Sequence, residues 1–251
     1  MKLITLNQTQ DKPTLGSTKL MTYSSTKMEH SNEYSNEYLV EVMYLSPSDK
    51  SGWNVCQKAS EACKRECLDT AGRGRFDNVQ NARLKRTNVF FLNREEFFNQ
   101  LVKEIDKHVK KSRKLGLKPA VRLNGTSDLP WEKIKIWGFD NIMTLFREVD
   151  FYDYSKISYD KRPSHKLPDN YNLTFSRSED TTLDEIEYNL ANGRNVAVVF
   201  DTVPDSWLGM TVINGDTHDL RMTDPKGVIV GLKAKGKAKK DTSGFVVRLN
   251  S

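Results

Sequence analysis

The sequence holds only three cysteines in 251 residues. That is too few for a disulfide framework and points to the reducing cytoplasm, with every thiol available for chemistry. No apolar run approaches about 18 residues, so no membrane-spanning helix is expected. Residues 1–12 lack an apolar core, so no secretory signal is expected. There is no recognition-helix, zinc-finger or RNA-motif signature. No Ser–His–Asp arrangement or His-x-Glu with paired cysteines can be read, which leaves hydrolase and zinc-deaminase readings without support. Apolar material is not scarce, at 37% hydrophobic and 10% aromatic. This excludes a disordered chain and suffices for one large domain or two small ones.

The net charge of +6 is unevenly placed. Residues 226–240 carry Lys226, Lys233, Lys235, Lys237, Lys239 and Lys240 with no acid, and residues 103–118 hold seven Lys or Arg against Glu104 and Asp106. Such runs are ordinarily solvated faces. They also suit a polyanion, so nucleic acid is a candidate partner through 226–240. Gly231 to Ala238 nearly matches a phosphate-binding loop, but Ala238 lacks the hydroxyl that would hold magnesium.

Residues 1–37 read as a polar lead-in with a Ser-Asn-Glu-Tyr tandem repeat at 31–38, and 38–251 as a single α/β domain with a cysteine loop at 46–74. A strand is expected at Tyr38–Leu45, stopped by Pro47. Helices are expected over Asn78–Phe91 and Arg94–Leu115, the second with Phe97, Leu101, Ile105, His108 and Val109 on one face. Short apolar runs at 120–123, 149–152, 171–175, 196–200, 211–213 and 228–230 follow, with helical patterns at Ile134–Phe146 and Leu183–Leu190 between them. Strands alternating with helices predict a parallel sheet, as a complete or partial βα barrel.

The cysteines Cys56, Cys63 and Cys67 are spaced C-x6-C-x3-C directly after the first strand of this region. Three soft thiolates on one loop can hold three corners of an iron–sulfur cluster. Alternatives are a Cys3His zinc site drawing on His30, His108, His165 or His218, coincident core cysteines, or a disulfide with a spare thiol. Zinc lacks its usual C-x2-C knuckle here, and His108 suits a core position better. The loop has little apolar content, so it is expected to depend on a metal for its order.

The runs Leu45-Ser46-Pro47, Asn54-Val55-Cys56, Ala59-Ser60, Cys63, Cys67 to Gly74, Val79 to Arg83, Val121 to Glu132 and Asp224 to Leu232 resemble the bacteriophage gene product 88 family over roughly residues 38–240. The arrangement is also similar to radical S-adenosylmethionine enzymes. They place three cysteines after the first barrel strand, at spacing C-x3-C-x2-C, and a glycine motif after the second. That similarity implies a [4Fe–4S] cluster on Cys56, Cys63 and Cys67. It further implies S-adenosylmethionine as cosubstrate near Asn124, Gly125, Thr126 and Ser127, and an unknown substrate. Polar residues trailing apolar strands on such a barrel would line the active face, which makes Asp128, Ser176 and Asp201 the expected catalytic residues.

Overall fold

A computed structural model describes residues 12–22 and 37–249. Strand β1 (Met21–Thr22) pairs antiparallel with β2 (Tyr38–Met43), and helices α1 (Glu61–Arg65), α2 (Asp77–Leu92) and α3 (Arg94–Lys114) lead to β3 (Lys118–Arg122). Then come α4 (Ile142–Leu145), β4 (Asp150–Ser155), β5 (Tyr171–Ser176), α5 (Leu183–Ala191) and β6 (Val196–Phe200). The hairpin of β7 (Ser206–Trp207) and β8 (Met210–Asn214) precedes β9 (Ile229–Lys233) and β10 (Val246–Val247). His30 and most of the tandem repeat lie outside the described residues. The described part of the lead-in is anchored by carboxylates of α3: Leu15 N donates to Glu96 Oε1 at 2.7 Å and Met21 N to Glu104 Oε2 at 2.7 Å.

The sheet order is β1-β2-β3-β4-β5-β6-β9-β8-β7, with β10 beside the far end of β6. From β2 to β9 every neighbouring pair is parallel. The mixed α/β class follows, but the sheet is open. A barrel closes only when its edge strands hydrogen-bond to each other, and here the short antiparallel pieces β1 and β7 occupy the two edges. The expected complete barrel is therefore not what forms.

Parallel strands need cover on both faces, and all six residues of β2 are buried. On one face, Met43, Val121, Phe151 and Leu173 pack under α2 and α3, whose Phe90 and Phe97 rings pack edge to face with centroids 5.1 Å apart. On the other, Tyr38, Val40, Val42, Ala120 and Tyr152 are covered by Leu220. The helix expected at Ile134–Phe146 shrinks to α4. Trp137 (φ 46°) and Gly138 (φ 87°) both adopt left-handed backbone, and a tight Ile136–Phe139 bridge replaces the first turns. Asn141 then starts α4 as a capping residue, its Oδ1 accepting from Thr144 N. Among the described residues no helix is long and apolar enough to cross a membrane.

Candidate functional site

Because β2, β3, β4, β5, β6 and β9 run in one direction, the loops that follow them emerge at a single edge of the sheet, where open α/β sheets place their ligands. The loop after β2 carries the cysteines. It has a backbone framework of its own: Gly52 N donates to Asp49 O at 2.8 Å and Val55 N to Ser48 O at 3.0 Å. Ser60 caps α1 by accepting from Cys63 N. Glu179, in the loop after β5, clamps this start by accepting from Ser60 Oγ at 2.6 Å and Ala62 N at 3.0 Å. The loop is held by these hydrogen bonds and also by apolar packing: Val55 is fully buried in the main core and the Trp53 ring stacks on Phe91, centroids 4.7 Å apart.

Cys56, Cys63 and Cys67 are free and half-buried. Burial pushes the Cys56 thiol up to about 11 and the Cys67 thiol to about 12. It also raises Cys63, with the Lys156 ammonium opposing. Charge on Cys63 bears on both other thiols, so the three sulfurs share one electrostatic neighbourhood. Among the described residues, no three His, Cys, Asp or Glu side chains converge tightly enough for a single metal ion. Of the expected zinc histidines, His108 is buried with Nε2 3.1 Å from Leu39 O, at the opposite end of β2 from the cysteines. His218 Nδ1 accepts from Leu220 N at 3.2 Å, and His165 lies exposed in a short helical turn.

The segment after β3 sits directly on the cysteine loop. Gly125 N donates to Met43 O at 3.0 Å and Asp128 N to Val55 O at 2.8 Å. The Cys56 thiol lies 3.7 Å from Thr126 O, whose own hydroxyl donates to Leu45 O at 2.5 Å. Asn124 is the hub of the turn. Its Oδ1 accepts from Ser127 Oγ, Leu129 N and Trp131 Nε1 at 2.8–3.1 Å, and its Nδ2 donates to Leu129 O and Asp153 Oδ2. The side chains of Asn124 and Ser127 are therefore engaged with protein, and this segment shapes a wall.

Asp128 and Ser176 are brought together through Lys156. Asp128 Oδ2 accepts from Lys156 N at 2.8 Å, while Lys156 Nζ donates to Ser176 Oγ at 3.0 Å and Arg177 O at 2.7 Å. Burial raises the Asp128 carboxyl above the usual range and lowers the Lys156 ammonium. Asp201 lies one strand further, half-buried, with Oδ1 accepting from Thr202 N at 2.7 Å. A cavity of about 360 Å³ opens beside Lys156, lined by Gln57, Ala59 and Ser60 of the cysteine loop and by Ser178 and Thr181, but Asp128, Ser176 and Asp201 do not line it.

Sequence reading missed Lys156 and Glu179, and also Arg162, which pairs with Glu132 and Asp128. Lys156 looked like one of many surface lysines. Its burial is completed by Phe245, whose ring lies 5.2 Å away and comes from nearly the far end of the chain.

The gene product 88 family profile matches residues 12–249. The chain belongs to the gene product 88 family. No curated protein and no solved structure matches it. The family match spans the whole edge just described, from the strand that precedes the cysteines to the lysine-rich turn that follows β9.

The lysines of 226–240 do not form one patch. Lys226 precedes β9 and Lys233 ends it, so they lie at opposite edges of the sheet. Lys233, Lys235, Lys237, Lys239 and Lys240 stand with the cysteines, and Lys235 pairs with Asp216 at 2.6 Å.

Proposed function

We propose that Cys56, Cys63 and Cys67 hold a [4Fe–4S] cluster and that this gene product 88 protein is a radical S-adenosylmethionine-type enzyme acting on a still unassigned substrate. The observation that supports this reading is that the loop after β2, at the ligand edge of a parallel sheet, carries three free half-buried thiols within twelve residues. A single zinc ion would draw its sulfurs to within about 4 Å of one another, since Zn–S bonds are about 2.3 Å. No compact single-ion site stands among the described residues, so the cluster reading rests on the donor chemistry of three soft thiolates on one loop. When bound, such a cluster supplies one electron to the sulfonium of S-adenosylmethionine, and the protein supplies orientation and shelter.

This chain's own residues have definable parts in that scheme. The Asn124 turn holds the wall against Cys56. Lys156 places a fixed positive charge beside Cys63 while bridging Asp128 and Ser176. The 360 Å³ cavity next to Gln57–Ser60 falls in the size range of small-molecule sites. Anaerobic reconstitution with iron and sulfide, followed by Mössbauer and EPR spectroscopy, tests the cluster. Four irons per chain, lost when all three cysteines become alanine, is the expected result. Formation of 5′-deoxyadenosine under a strong reductant tests the cosubstrate. The alternative is a non-enzymatic nucleic-acid-binding protein with a structural metal loop. It predicts tight zinc and no iron or sulfide.

A further inference from the structure

Two stretches far apart in sequence meet beside the cysteines. One is 63–76, running from Cys63 through the turn after Cys67 into the start of α2. The other is 233–248, from the end of β9 through the lysine-rich turn. They are in direct contact: a Cβ on Gly236 would lie 3.1 Å from Ala71 Cβ, and Arg65 Nη2 reaches Asp241 Oδ1 at 3.4 Å.

Within both stretches the charges sort by depth. The acids Glu66, Asp69 and Asp241 are all buried, at 9%, 0% and 3% exposure. Each is held internally: Glu66 by Arg65, Asp69 by Lys50, and Asp241 by Ser243 Oγ and Val246 N. The cations Arg73, Arg75, Lys233, Lys237, Lys239, Lys240 and Arg248 are all exposed. Arg248 spends its hydrogen bonds on the uncharged carbonyls of Lys239 and Asp241, so its charge is not cancelled. The acids that do reach solvent stand at the margins of the rim: Glu61 pairs with Lys64, Asp216 pairs with Lys235, and Asp77 follows Phe76 at the start of α2. Positive charge therefore predominates between them. The other basic run, on α3, is built differently, because Lys110 pairs with Asp106 at 2.6 Å and Arg113 with Glu148 at 3.3 Å. An exposed aromatic accompanies the rim: Phe76 is 50% exposed, with the Arg75 guanidinium 5.9 Å from its ring centre.

We propose that this rim binds the phosphate backbone of a nucleic acid and lays it across the mouth of the cysteine loop, which makes nucleic acid the substrate class of the centre proposed above. Clustered cations in excess over acids supply backbone contacts, and an exposed ring offers a stacking face for a base. An acidic protein would be served by the charges but has no use for Phe76. The inference rests on the cluster reading only for the word substrate, since the rim itself needs no metal.

The test is fluorescence anisotropy of the full chain with a labelled oligothymidine of about 16 nucleotides, with the RNA counterpart and a duplex as parallel arms. Salt is titrated in each case. Binding should weaken steeply with salt. Arg73→Glu with Arg75→Glu should weaken it at least about tenfold, as should Lys237→Glu with Lys239→Glu, each pair lowering the salt slope by roughly two. Phe76→Ala should weaken the single-strand arms more than the duplex arm. Lys107→Glu with Lys110→Glu on α3 should leave binding unchanged, and circular dichroism melts confirm that each variant is folded. The rim proposal is overturned if the protein shows no salt-dependent binding, or if the α3 pair matters as much as the rim pairs. The same holds if vesicles of anionic lipid compete as well as the oligonucleotide. Repeating the titration with the triple cysteine variant separates the two ideas. Binding should be retained in that variant, because the rim needs no metal. A wild-type chain that binds the oligonucleotide but takes up no iron or sulfide on reconstitution sinks the enzyme reading alone, whereas a loaded cluster with no affinity sinks the rim alone.

Discussion

Arg162 grips Glu132 with two parallel hydrogen bonds, Nε to Oε1 at 3.0 Å and Nη2 to Oε2 at 2.5 Å, both side chains being about 95% buried. The remaining Nη1 lies 3.4 Å from Asp128 Oδ1. The loop after β4 is thereby locked to the segment after β3, beneath the cysteine loop. Removing one partner leaves an uncompensated buried charge, which costs about 3–5 kcal/mol. Glu132→Ala should therefore destabilise by that amount in urea unfolding. Arg162→Met with Glu132→Leu should recover much of the loss, because the pair's desolvation cost disappears with it. Equal stability of the Glu132→Ala variant and the parent would contradict this role.

Gly125 is required by close approach. A Cβ there would meet Met43 O at 2.6 Å and Tyr44 Cδ1 at 2.6 Å. Backbone cannot yield cheaply, so Gly125→Ala should cost about 1–3 kcal/mol. It should also move Thr126 O away from the Cys56 thiol. Iron incorporation should fall even at temperatures where the variant is fully folded, as scored by iron per chain beside a thermal melt.

Much of this architecture is written locally. The run at 196–200 is continuous and apolar, as a strand buried on both faces should be, while 171–175 alternates Tyr171, Leu173 and Phe175 with Asn172 and Thr174; both strands form where expected. The apolar stripe from Phe97 to Val109 gives α3, and Gly116, at φ 70°, stands just beyond its end. What was not legible is long-range. The chain runs β7, β8, β9, yet β9 inserts between β6 and β8, so order in sequence is not order in the sheet. β10 docks on Val199 and Phe200, beyond the part of β6 that β5 covers. No local pattern announces either placement. The spacing of the cysteines is what marks the loop after β2 as the candidate site. Lys156 and Glu179 were not legible, since their roles come from partners more than 20 and more than 100 residues away.

The thiols make a metal-free prediction. With folded values of about 11 for Cys56 and 12 for Cys67, thiolate at pH 8 is about one part in a thousand or less, against roughly a quarter for an ordinary cysteine. Only thiolate reacts with iodoacetamide. Alkylation of Cys56 and Cys67 in the apo protein should therefore run about two orders of magnitude slower than in urea, and it should accelerate up to at least pH 10. Any centre these sulfurs bind must displace their protons, so loading should release protons and strengthen as pH rises. Fast alkylation at pH 7 would show that the thiols are not buried in this way.

Glu41 and His108 should give opposite pH signatures when separated. Burial raises the Glu41 carboxyl to about 7 and lowers the His108 imidazole to about 4, and Nδ1 lies 3.7 Å from Oε1. With Nε2–H directed at Leu39 O, Nδ1 is left as an acceptor facing a protonated carboxyl. Between about pH 4.5 and 6.5 the folded pair holds one proton, on Glu41. The unfolded pair also holds one, on His108, so stability is flat with pH there. In His108→Leu only the carboxyl remains. The folded state then binds the extra proton, and stability should fall as pH rises from 4.5 to 7. In Glu41→Gln only the imidazole remains. The unfolded state then binds the extra proton, and stability should fall as pH drops from 6.5 to 4. Each slope integrates to about 3 kcal/mol, because a tenfold change in proton affinity is worth about 1.36 kcal/mol. Urea unfolding of both variants across pH 4–8 reads the two signs directly, and slopes of the same sign would mean that the pair does not share a single buried proton.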